Sequence, residues 1–67
     1  MTRKQLGVLI KKKRVKLGYS IMELAEEASV NHMTVRRCEE GEISSRIDKV
    51  ILILKALDLK IRIEDIN

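Results

Sequence analysis

The 67-residue chain has no proline, tryptophan or phenylalanine, and only one tyrosine, three glycines and one cysteine. No Pro- or Gly-rich stretch marks a linker, and no internal repeat or low-complexity run breaks the sequence, so it reads as one domain. The lone Cys38 excludes an internal disulfide. No spacing of His and Cys resembles paired metal ligands, so neither a metal nor a cofactor is expected. No apolar run approaches the ~20 residues needed to cross a bilayer, and charges stand where a secretion signal would have its apolar core. A cytoplasmic, reduced setting without a membrane partner is the expectation. A catalytic set is also missing, because His32, the one histidine, and Cys38 fall on different faces of one helix. An enzyme is therefore not expected.

Acidic residues are absent from positions 1–22, which hold seven basic side chains, whereas residues 23–67 hold seven basic and ten acidic ones. The net charge of +4 thus hides a one-sided basic segment. Such a segment points to a polyanion, either nucleic acid or an anionic surface, although the run Lys11-Lys12-Lys13-Arg14 also fits a plain solvated helix face. A chain this short buries only about 60% of the surface exposed when unfolded, which favours support from a second subunit.

Periodicity and caps predict four helices. The first covers about Arg3 to Leu17, with Leu6, Ile10 and Leu17 on one stripe, Leu9 beside it, and Gly18 as the stop. The second starts at the capping box Ser20-Ile21-Met22-Glu23, with Tyr19 and Leu24 as a hydrophobic staple, and ends near Ala28. The third is capped by Asn31, stapled by Val30 and Val35, and stopped by Gly41. The fourth begins at Ser45, where Asp48 completes a weaker box, and runs to about Asp58 with Ile47, Val50, Ile51, Leu54 and Leu57 inward. Beyond it, Leu59, Ile61 and Ile63 alternate with Lys60, Arg62 and Glu64, a strand's period. A lone strand needs a partner from another chain.

Only two residues separate Ala28 from Asn31, so the second and third helices must cross sharply, and Ala25 and Ala28 are small enough to let them do so. A short helix, a tight turn and another short helix with a polar outer face make helix-turn-helix geometry. On the third helix Val35 and Cys38 face inward, so Met33, Arg36, Arg37 and Glu40 face outward with His32 at the edge.

The stretch GYSIMELAEEASVNHMTVRRCEEGE resembles the Cro/cI-type (Xre) helix-turn-helix repressors, and the match extends from Leu6 to about Leu59. The tail LKALDLKIRIED resembles the HipB-like antitoxin branch. The resemblance implies an all-α, lambda-repressor-like domain over 1–58 and a dimerisation strand over 59–67. It implies a homodimer on an inverted-repeat operator in double-stranded DNA, acting as a transcriptional autorepressor, with a toxin protein as a further partner. An alternative is a protein-interaction module that neutralises a toxin, with DNA binding secondary. By position, His32, Met33 and Arg37 would contact bases, and Ser20, Asn31, Thr34 and Arg36 phosphates. Arg14 and Glu39 would form a structural ion pair, and Leu59, Ile61 and Ile63 the dimer contact. Three positions depart from the family pattern: Ile21 replaces a phosphate-binding glutamine, Ser29 a turn glycine, and Ser45 a frequent loop proline.

Overall fold

The computed structural model describes residues 1–43 and 47–60. It contains α1 (Arg3–Lys16), α2 (Ile21–Ala28), α3 (His32–Glu39) and α4 (Ile47–Ala56). α1 packs on α3, and α2 packs on both α3 and α4. Leu6, Ile10, Leu24, Val35, Val50, Ile53 and Leu57 are completely or almost completely buried where these helices meet.

Each helix begins and ends for a local chemical reason. At α2 the Ser20 hydroxyl accepts from the Glu23 amide at 3.0 Å, while the Glu23 carboxylate accepts from the Ser20 amide at 2.9 Å. That backbone hydrogen bond, and then the hydroxyl, hold the Glu23 carboxyl below its usual range. This contribution to α2 is present at neutral pH and lost as acid protonates the carboxylate. Thr2 and Gln5 form the same box at α1, a T-x-x-Q signal that the sequence reading passed over. Asn31 Oδ1 caps α3 by accepting from the Met33 amide at 2.8 Å.

All four helices stop in one way. A residue in the left-handed region follows the last turn, and two amides close back on orphan carbonyls. The residues are Gly18, Ser29, Gly41 and Asp58, with φ of 81°, 58°, 85° and 56°. In α2 the closing bonds run from Ser29 to Glu26 and from Val30 to Ala25. A serine there carries a β-carbon in a conformation that costs about 1 kcal/mol, in the turn that sets the α2–α3 angle.

Several expectations need correction. Leu17 does not join the α1 stripe. It follows the last helical turn and is 48% exposed. On α4 Val50 and Leu54 are buried as expected, but Ile53, which periodicity omitted, is fully buried with them, and Ile51 is only half-buried. The run Ile51-Leu52-Ile53-Leu54 is apolar on every side, so α2 and α3, not the pattern, select the buried face. α4 ends at Ala56 rather than near Asp58. No strand occurs among the described residues. Leu59 donates its amide to the Leu54 carbonyl at 2.8 Å and packs on the core, so it closes α4. Ile61 and Ile63, with the rest of the expected strand, and the Ser45 cap lie outside the described residues.

Candidate nucleic-acid interface

Two features fix α3 against the rest of the molecule. The first is polar: Arg14 Nε donates to Glu39 Oε2 at 2.6 Å and Nη2 to Oε1 at 3.2 Å, while Nη1 donates to the Tyr19 carbonyl at 2.8 Å. The two side chains are only 11% and 6% exposed. One guanidinium therefore ties α1, the α1–α2 junction and the end of α3. The second is steric. A β-carbon built on Gly7 would lie 2.5 Å from the Cys38 carbonyl oxygen and 2.6 Å from that of Glu39. Gly7 lets α1 cross α3 at backbone distance, and sequence reading missed it because nothing local marks a glycine inside a helix as a crossing point.

Held this way, α3 buries Val35 and Cys38 and leaves His32, Met33, Arg36 and Arg37 exposed. Cys38 is a core side chain. Burial, then the neighbouring Glu39 charge, pushes its thiol up to about 11, so it stays neutral and poorly nucleophilic at ordinary pH.

The exposed residues do not all share one surface. Met33 and Arg37, one turn apart, line a hollow with Asn31 and Thr34. His32 lies on the other flank, in a hollow with Met22, Glu26 and Val30 that also reaches Asn31. The Glu26 carboxylate there makes that hollow unfavourable to a phosphate. Ser20 stands apart at the α2 N-terminus, its oxygen already accepting from Glu23. Asn31 likewise uses its oxygen for the cap, which leaves its amide NH2 free to donate outward. Arg36 pairs with Glu40 at 3.3 Å, with side chains 65% and 53% exposed. A pair this open is worth only a few tenths of a kcal/mol and yields readily to a phosphate. Lys11, Lys12 and Lys16 line a separate hollow with Val8, Val15 and Glu39, apart from the hollow of Met33 and Arg37.

A rigid helix pair with a tight αL turn, presenting an arginine-bearing outer face on its second helix, defines a helix-turn-helix DNA-binding domain. A family model described as helix-turn-helix matches residues 10–63, and the chain belongs to this family of DNA-binding transcription regulators. No curated protein matches the chain significantly. Among the described residues, no helix is long and apolar enough to cross a membrane.

Proposed function

We propose that the chain is a sequence-specific autorepressor that binds an inverted-repeat operator as a homodimer, with α3 in the major groove. The observation that carries this reading is the partition of α3. Val35 and Cys38 are buried against the core, while Met33 and Arg37 stand side by side on the open face. The Arg37 fork matches the O6 and N7 acceptors of guanine, and the Met33 side chain suits a thymine methyl. His32 completes the base-reading set, and Asn31, Thr34, Arg36 and Ser20 serve as phosphate contacts that fix the register.

Arg37→Ala is expected to erase the preference at one base pair per half-site, worth roughly 1–3 kcal/mol of discrimination, without lowering the melting temperature. Selection of binding sites from a random duplex pool measures this directly. The same consensus for mutant and wild type would remove Arg37 from the base-reading set.

The dimer contact is assigned to Ile61 and Ile63, which the alternation of the tail places on one apolar face, while Leu59 is engaged by its own core, and a second copy around a two-fold axis is the simplest partner. Because Leu59 closes α4, the informative truncation ends after Lys60. Removing residues 61–67 is expected to leave a folded monomer in sedimentation and to weaken operator binding strongly. A truncated protein that remains dimeric at micromolar concentration would place the interface elsewhere.

The likeness of the tail to the HipB-like branch supports a second role, capture of a toxin in a HipBA-type toxin–antitoxin pair. Co-expression with the product of the neighbouring reading frame tests this role. Growth arrest by that product alone, relieved by this chain, is the expected result, and a harmless neighbour would reject it.

A further inference from the structure

Arg3 is not accounted for by the fold. It is exposed in the first turn of α1, and neither ion pair among the described residues involves it. That turn holds no acidic residue, although the positive end of a helix dipole favours acidic side chains and disfavours basic ones. Among the described residues no ion pair or side-chain hydrogen bond uses its guanidinium, which leaves Arg3 open for a task outside the fold. Its position identifies the task. Arg3 shares a hollow of about 420 Å³ with Arg37, Gly41, Glu42 and Ile43. Gly41 abuts the backbone of Lys4, with Lys4 Cα 3.1 Å from where a Gly41 β-carbon would stand. The start of α1 is thereby held beside the end of the recognition helix.

We propose that Arg3 binds a backbone phosphate of DNA next to the base pair that Arg37 reads, making this hollow a phosphate site. The assignment rests on the DNA-binding reading above. The α1 terminus is already capped by Thr2 and Gln5, so the ligand's partner is the Arg3 guanidinium and not the helix end. A guanidinium suits a phosphodiester because its fork donates two parallel hydrogen bonds to two phosphate oxygens. Glu42 lines the same hollow and repels a phosphate. With Arg3 and Arg37 against one carboxylate, the site remains positive, and Glu42 limits its strength.

The experiment measures duplex binding across a salt series from about 50 to 200 mM for wild type, Arg3→Gln, Arg3→Lys and Glu42→Gln, together with site selection. Each neutralised phosphate contributes about 0.9 to the slope of log affinity against log salt. Arg3→Gln is expected to shallow the slope by about 0.9 per bound protomer, with the consensus and the melting temperature unchanged. Arg3→Lys should restore the slope, and Glu42→Gln should tighten binding. A wild-type slope in Arg3→Gln, or an altered consensus, would overturn the phosphate site while leaving the DNA-binding reading intact. A wild-type protein that shows no preference among duplexes would instead defeat that reading, and the site with it.

Discussion

Arg14→Ala is expected to cost the domain about 3 kcal/mol, because removing one partner of a buried pair leaves the other charge stranded. The substitution strips three hydrogen bonds at once, two from Glu39 and one from the Tyr19 carbonyl. Natural domains are stable by only about 5–15 kcal/mol, and one this small lies toward the lower end. For a domain of this size the loss corresponds to a fall in melting temperature of roughly 15 °C. Thermal denaturation followed by circular dichroism provides the measurement. A double replacement, Arg14→Met with Glu39→Leu, separates charge from packing, since an apolar pair of similar volume often restores most of the stability. If Arg14→Ala melts with wild type, the bridge is energetically idle and Arg14 is free to serve as a DNA contact.

Gly7→Ala should also destabilise, against the trend for a helix interior. Alanine is favoured over glycine there by about 1 kcal/mol, and a solvent-facing site would gain that amount. Here the new methyl would meet two backbone carbonyl oxygens of α3 at 2.5 and 2.6 Å. Backbone cannot swing aside as a side chain can, so α1 and α3 must separate. A net loss of about 2 kcal/mol is expected, in the range for overpacked cores. Because the element displaced is the helix proposed to enter the major groove, DNA affinity should fall by more than the lost stability explains. Val8→Ala, at an exposed neighbouring position, provides the control. Equal stability of Gly7→Ala and wild type would mean that the two helices move apart without penalty.

These two positions show what a sequence reveals and what it conceals. Caps are local chemistry, so Ser20 with Glu23, Asn31, Gly18 and Gly41 were readable directly, and they delimit the helix-turn-helix. The outward face of α3 followed from the positions of Val35 and Cys38 along a 3.6-residue period. Gly7 was invisible because its role is defined by carbonyls more than thirty residues away. Ile43 was missed because a connecting segment has no period, although it is only 3% exposed. The choice between Ile51 and Ile53 required the packing of α2 and α3, since α4 is apolar nearly all round. The expected strand drew its first residue from Leu59, whose amide the end of α4 takes instead. At the candidate interface, helical phase turned Met33 and Arg37 outward, and their assignment to bases is what the family resemblance implies. Local preference could not reveal that the start of α1 lies beside Arg37.

The partition of α3 has a consequence for how such a protein diversifies. The side chains that hold the helix, Val35, Cys38 and Glu39, alternate along it with those turned outward, His32, Met33, Arg36 and Arg37. The outward set makes one intramolecular polar side-chain contact among the described residues, the solvent-open Arg36–Glu40 pair. Exchanging any of the four therefore leaves the scaffold nearly untouched, since surface changes away from special features usually stay within about 0.5 kcal/mol. On the proposed DNA-binding reading, a duplicated copy of this chain can thus wander through new recognition alphabets one residue at a time, remaining folded at every step, and reach a different target sequence without ever passing through a broken intermediate.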